Sequence, residues 1–184
     1  MSDEILQIFK DTGALLEGHF ELTSGLHSPF YWEKFRVLQF PEHTEKLCKI
    51  IAGHFKNDNI ELVTGPTTGG VILAYETARQ LGIRGMFAEK EGQTRVFRRG
   101  FTIKPDERIL IVDDILTTGG SIKEVINAVN LLKGNIIGIA VLVDRSSKDV
   151  DFGYPLFSCL KSSTVAYEPA NCPQCAAGIP LIRT

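Results

Sequence analysis

Apolar positions along this chain follow two rhythms. Short apolar runs occupy residues 60–63, a stretch ending at 86–88, and residues 109–112 and 136–143. Between them lie segments whose apolar residues return every three or four positions: Leu47, Ile50, Ile51 and Phe55; Val71, Ile72, Ala74, Tyr75 and Ala78 up to Gly82; Ile122, Val125, Ile126 and Val129 up to Gly134. Runs rich in β-branched residues predict strands buried on both faces, and the three-to-four spacing predicts amphipathic helices. Strands alternating with helices across short loops imply an α/β fold with a mostly parallel central sheet flanked by helices. The ends differ. Residues 3–16 carry Ile5, Leu6, Ile8 and Phe9, a short helix closed by Gly13. Residues 18–40 hold Phe20, Leu22, Phe30, Tyr31, Trp32, Phe35 and Val37 around a Ser/Gly/Pro turn, which predicts a small antiparallel hood. Pro41 opens the next helix. Residues 156–160 and 164–167 predict final strands. The expected organisation is one domain over 1–184, with the hood mainly 18–40 plus the C-terminal segment and the core at about 41–150.

The candidate chemistry concentrates at residues 108–121, Arg-Ile-Leu-Ile-Val-Asp-Asp-Ile-Leu-Thr-Thr-Gly-Gly-Ser. Asp113 and Asp114 stand where the strand is expected to end, and the turn Thr117–Ser121 leads into a helix. In open α/β sheets ligands bind outside the carboxyl ends of the strands. Free amides of Thr118, Gly119, Gly120 and Ser121 at the helix start make an anion site, and Thr117, Thr118 and Ser121 add hydroxyls. Two adjacent carboxylates suit neighbouring hydroxyls of a sugar, so the loop would take a 5-phosphate and the acids the ribose. A second loop, Thr64-Gly65-Pro66-Thr67-Thr68-Gly69-Gly70, offers amides to another anionic group. Residues 89–104 are polar, glycine-bearing and basic. They read either as a solvated loop or as a lid bringing Lys90, Arg95, Arg98 and Arg99 to a phosphate. Arg145, after the 136–143 strand, faces the same edge and suits a carboxylate. Neither Gly-x-Gly-x-x-Gly after a strand nor Gly-x-x-x-x-Gly-Lys-Ser/Thr is present.

The 108–121 stretch resembles the phosphoribosyl pyrophosphate signature of the type I phosphoribosyltransferases, with strand, Asp-Asp, two spacers, Thr-Thr-Gly-Gly-Ser and helix in the same order and spacing. Ser24-Gly25-x-x-Ser28-Pro29-Phe30-Tyr31 is similar to a segment of the orotate phosphoribosyltransferases. The Tyr167-Glu-Pro…Cys172-Pro-x-Cys175…Gly178-Ile-Pro ending looks like that of their shorter-loop, Thermus-type branch. The resemblance implies the type I phosphoribosyltransferase fold and transfer of phosphoribose from phosphoribosyl pyrophosphate to orotate in pyrimidine synthesis. It implies donor binding by Asp113, Asp114, Ile115, Leu116, Thr117, Thr118, Gly119, Gly120, Ser121, Thr67, Thr68, Gly69, Lys90, Arg98 and Arg99. Orotate would meet Thr117, Arg145, Phe30 and Tyr31, and the catalytic set would be Lys90, Asp113 and Asp114. It implies Mg²⁺ held by the substrate, with Asp113 or Asp114 reaching it only through water, and a homodimer whose lid closes over the neighbouring site. Thr68-Gly69 departs from the Tyr-Lys pair of many such enzymes. Glu89-Lys90-Glu91-Gly92 matches only the centre of their Arg-Lys-Glu-x-Lys-x-His-Gly run. Two alternatives stay open: a phosphoribosyltransferase for another base such as a purine, and a non-catalytic sensor of the donor.

Composition narrows the partners. The 184 residues carry 20 basic and 22 acidic side chains, a net charge of −2, so nothing points to nucleic acid or a membrane surface. No apolar run would span a bilayer, and the start lacks a signal-peptide core. Four cysteines in a chain of this size fit a reduced, cytoplasmic protein. Cys172-Pro-Gln-Cys175 is half of a zinc site, with Cys159, His19, His27, His43 and His54 the scattered spare ligands. It is read as an unmetallated structural turn, with zinc the less favoured alternative.

Overall fold

The computed structural model describes residues 2–22, 24–146, 149–162 and 165–183. Ser147, expected in the turn after residue 143, and Thr164, expected to begin a last strand, lie outside them. Helix α1 (Ser2–Asp11) leads into a hairpin of β1 (Leu15–Glu21) and β2 (His27–Trp32), followed by α2 (Phe35–Leu38) and α3 (Pro41–Phe55). The parallel unit then runs β3 (Leu62–Pro66), α4 (Gly69–Leu81), β4 (Arg84–Glu91), β5 (Thr94–Val96), β6 (Arg108–Leu116), α5 (Gly120–Leu131), β7 (Asn135–Asp144) and β8 (Leu156–Lys161). A short helix α6 (Pro173–Ala176) and a two-residue strand β9 (Ile182–Arg183) end the chain. Among the described residues no helix is long and apolar enough to cross a membrane.

The large sheet has the order β5-β4-β3-β6-β7-β8 and the small one β2-β1-β9. Among the described residues only the β4/β5 pair of the large sheet is antiparallel. The expected α/β class with a mostly parallel sheet is what the chain forms. Side chains of β6 alternate between the sheet's faces. Leu110 and Val112 enter one core with Leu47, Ile51, Phe55 and Leu73, while Ile109 and Ile111 enter a second with Ile122, Val125 and Val129. Burial on both faces explains why the run is continuously apolar.

The structure departs from the sequence reading at several points. Strand β6 continues through Asp113 and Asp114 to Leu116, because β7 supplies partners as far as Asp144. Strand β4 runs on to Glu91 and returns as β5, so the polar 89–96 segment is a hairpin at the sheet edge and not a loop. Phe97 and Phe101 pack against the second core, and Ile103 is buried within it. The 89–104 stretch, polar as it reads, is thus anchored by apolar side chains. Phe35 and Val37, expected in the hood strands, lie in α2, where Val37 and Leu38 are buried. Strand β8 pairs with β7, so the large sheet extends past residue 150. The C-terminal strand that joins the hood is β9, parallel to β1, which makes the small sheet mixed.

Candidate active site

Strands β3, β4, β6 and β7 are mutually parallel, so their carboxyl ends open on one edge. That edge collects the loop after β3, the β4–β5 hairpin, the loop before α5 and the turn after β7. Asp113 and Asp114 are both buried. Neighbouring residues of a strand point to opposite faces, and the partners agree. Asp113 Oδ2 accepts from Ser121 Oγ at 2.8 Å, at the start of α5, and its Oδ1 accepts from the Asp114 amide at 2.9 Å. Asp114 Oδ1 accepts from Lys34 Nζ at 3.0 Å, reaching in from beyond β2, and from the Ile115 amide at 2.6 Å. Asp114 Oδ2 is buried with no hydrogen-bond partner among the described residues. Burial, then the Asp114 charge, pushes the Asp113 carboxyl up to about 6, against the pull of Ser121.

The loop between β6 and α5 is shaped as an anion cradle. Gly119, at φ 77°, caps α5 without a side-chain hydrogen bond, and the first amides of a helix have no partner within it. Thr117 and Thr118 are exposed. Ile115 and Leu116 belong to β6. Leu116 is buried in the second core, Ile115 packs on the first, and the Leu116 carbonyl accepts from the Arg145 amide at 2.8 Å. Only their backbone could serve a ligand. In the second loop the Thr67–Thr68 peptide is cis, and Gly69 begins α4 against Asp114.

The basic hairpin is not a set of loose cations. Lys90 Nζ meets Glu124 Oε1 at 2.7 Å, and Arg95 meets Glu124 Oε2 at 3.2 Å and Thr67 Oγ1 at 3.1 Å. Glu124 on α5 therefore holds Lys90 and Arg95 over the site. Arg98 pairs with Glu91 and Arg99 with Glu89 at 2.7 Å, both within the hairpin segment, and these two expected donor ligands point to its acids. On the other flank, the Arg145 guanidinium carbon lies 5.9 Å from the centre of the Trp32 ring. Burial lowers the Arg145 pKa, and the nearby Tyr31 acts in the opposite direction. Tyr31 lies beside Phe20, ring centres 5.6 Å apart. Alternation along β2 puts Phe30 on the opposite face, so the two aromatics expected to share the base do not share a side of the hood. The sequence reading took Trp32 only as a hood residue and passed over Lys34 and Glu124. Lys34 and Glu124 sit in no motif, and their importance arises from elements that meet only in the fold.

Residues 36–172 match the family described as the phosphoribosyl transferase domain. The chain belongs to the phosphoribosyltransferase family. Relatives include the orotate phosphoribosyltransferase of Pelotomaculum thermopropionicum, 49% identical over 98% of this chain and 95% of that one. The orotate phosphoribosyltransferase of Caldicellulosiruptor bescii is 47% identical at the same coverage. The crystal structure of the Aeropyrum pernix orotate phosphoribosyltransferase superposes with TM-score 0.70 at 26% identity, covering 85% of this chain and 93% of that one. An adenine phosphoribosyltransferase from Thermoanaerobacter pseudethanolicus also shares the fold, with TM-score 0.61 at 20% identity over 72% of this chain and 88% of its own. The phosphoribosyltransferase fold therefore does not choose the base.

Proposed function

We infer that this chain is an orotate phosphoribosyltransferase, joining the phosphoribosyl group of phosphoribosyl pyrophosphate to orotate and releasing pyrophosphate, in pyrimidine synthesis. The observation that carries the reading is its likeness, over nearly the whole chain, to relatives of that name. At the site, the reading is supported by the Arg145 cation beside the Trp32 ring at the sheet's carboxyl edge, suited to a planar base bearing a carboxylate. Loss of orotate absorbance with donor and Mg²⁺, and no loss with adenine or hypoxanthine, is the expected result. Turnover of a purine instead would overturn the assignment.

The reaction breaks the bond from the anomeric carbon to pyrophosphate and forms one to the ring nitrogen of orotate, whose proton leaves to solvent. No side-chain nucleophile is needed. Catalysis is positioning plus stabilisation of charge that grows positive on the sugar and negative on pyrophosphate. In this proposal the amides and hydroxyls of 117–121 hold the 5-phosphate, and Asp113 and Asp114 accept from the ribose hydroxyls and favour the cationic sugar. The loop at 67–69 takes the pyrophosphate. Lys90 and Arg95 pass from Glu124 to the leaving group. The buried, unpartnered Oδ2 of Asp114 beside a second buried carboxylate fits Mg²⁺ approached through water. When bound with the donor, Mg²⁺ offsets charge on pyrophosphate. A homodimer, a single 1–184 domain and a cytoplasmic location belong to the same proposal, testable by sedimentation, limited proteolysis and cell fractionation.

Two variants test the assigned roles. Arg145→Ala should raise the orotate KM about 10- to 100-fold, the loss of a charge-assisted pair, with the donor KM little changed. An unchanged orotate KM would remove Arg145 from the base site. Lys90→Ala should lower kcat about 10²-fold with little effect on either KM, since its interaction strengthens only as the bond breaks. Equal loss of donor affinity would make Lys90 a ground-state ligand instead.

A further inference from the structure

The C-terminal tail brings four metal-ligating side chains to one point. His19 on β1, His27 on β2, and Cys172 and Cys175 around α6 have their ligand atoms all within 4.8 Å of one another. His19 Nε2 lies 3.0 Å from His27 Nδ1, 3.5 Å from Cys172 Sγ and 3.6 Å from Cys175 Sγ, and His27 Nδ1 lies 3.2 Å from Cys175 Sγ. Zinc bonds of about 2.3 Å to sulfur and about 2.0–2.1 Å to nitrogen give tetrahedral edges of about 3.3 Å between nitrogens and about 3.5 Å between nitrogen and sulfur. These four separations lie within about 0.3 Å of those edges, and the other pairs of ligand atoms lie within 4.8 Å.

Hydrogen bonding alone leaves the cluster unexplained. His19 Nδ1 lies 2.8 Å from the Ile179 carbonyl, which can only accept, so the ring proton sits on Nδ1 and Nε2 offers a single lone pair. Three polar atoms crowd that one lone pair. A bond from the far ring nitrogen to a backbone carbonyl is also what orients metal-bound histidines. The tail around the cluster supports the same view. From Glu168 to Arg183 only Cys172 is buried and Gln174 half-buried, while Ile179, Leu181 and Ile182 are exposed. A segment with so little apolar burial needs another source of order.

We propose that His19, His27, Cys172 and Cys175 form a structural zinc site that fastens the C-terminal tail to the hood. Four protein ligands close the coordination sphere, and two thiolates balance the ion's charge, the pattern of a structural and not a catalytic zinc. The sequence reading of Cys172 and Cys175 as an unmetallated turn is thereby replaced. The two histidines are eight residues apart in sequence, 19 and 27, but the β1–β2 hairpin folds them together. His27 adjoins Ser28, whose hydroxyl donates to the Val165 carbonyl at 2.8 Å and accepts from the Phe30 amide at 3.2 Å. The ion would thus set the strand that carries Tyr31 and Trp32. The proposal stands whichever base the enzyme uses.

The test uses the untagged full chain, purified in reducing buffer without chelator, and measures metal by mass spectrometry. One zinc per chain is expected. It should be lost in Cys175→Ser and His19→Ala and kept in Cys159→Ser, whose thiol lies outside the cluster. Cobalt added to the wild-type apoprotein should give the visible bands of a tetrahedral thiolate site, a readout independent of whether the variants fold. Chelation should free two thiols to react, while Cys48 and Cys159, which burial pushes up to about 12, stay slow. Wild-type zinc no higher than in Cys175→Ser after incubation with zinc, with no cobalt bands, would overturn the site. So would a Cys172–Cys175 disulfide in the freshly isolated protein.

Discussion

Asp114→Asn should lower kcat/KM by about 10²- to 10⁴-fold without weakening the fold, and Asp113→Asn should do the same while making the protein more stable at pH 8. Two buried carboxylates in electrostatic contact are an unfavourable pair for folding alone. In Asp113→Asn, the amide oxygen still accepts from the Asp114 backbone and the NH₂ can donate to Ser121 Oγ, so both hydrogen bonds survive. What disappears is a charge that burial opposes. The sign follows from linkage. The folded-state pKa of Asp113 is raised from 3.8 to about 6, so the native state binds more protons than the unfolded chain between those values. The group's stabilising contribution is full below the unfolded value and is lost as pH rises through about 6. Wild-type Tm, relative to Asp113→Asn, should therefore fall across that window and stay lower above it. Activity should run the opposite way, rising as Asp113 ionises. Parallel loss of Tm and activity in the variant would mean that Asp113 is structural. Full activity in Asp114→Asn would remove that carboxylate from the reaction.

The sequence carried the parts of this site that are local in the chain. Apolar runs around 109–112 and 136–143 marked the central strands because both their faces are buried, and the Gly-rich turn marked the start of α5. Strand ends were less legible. Asp113 and Asp114 are polar, so periodicity stops at Val112, yet β7 continues beside them and the ladder continues with it. The hairpin at 84–96 was hidden for a similar reason: an edge pair is held by backbone hydrogen bonds and needs no apolar alternation. Pairings between distant segments were not legible at all. Lys34 with Asp114, Glu124 with both Lys90 and Arg95, and His19 and His27 with the tail cysteines are products of topology.

Gly69→Ala should abolish most activity while Gly65→Ala should destabilise the fold, although the two glycines are only four positions apart, at the end of β3 and the start of α4. A Cβ at residue 69 would lie 1.8 Å from Asp114 Oδ2 and 2.8 Å from its Cγ. That carboxylate is a side chain and can rotate away, but only by giving up Lys34 and the Ile115 amide. The cost falls on the position of Asp114, so the loss of kcat/KM should approach that of Asp114→Asn, about 10²-fold or more. A Cβ at residue 65 would lie 2.4 Å from the Val112 carbonyl oxygen and 2.9 and 3.0 Å from Gly70 backbone atoms. None of these can rotate aside, because β3 is wedged between β6 and the first turn of α4. Overpacking of about 1–3 kcal/mol or more should appear directly as lost stability. Tm and kcat/KM measured on both variants separate the two cases. A double variant sharpens the distinction: with Asp114→Asn in place, Gly69→Ala should remove little further activity, because both changes disable the same carboxylate. Independent, multiplying losses would show that Gly69 acts through the pyrophosphate loop itself and not through Asp114.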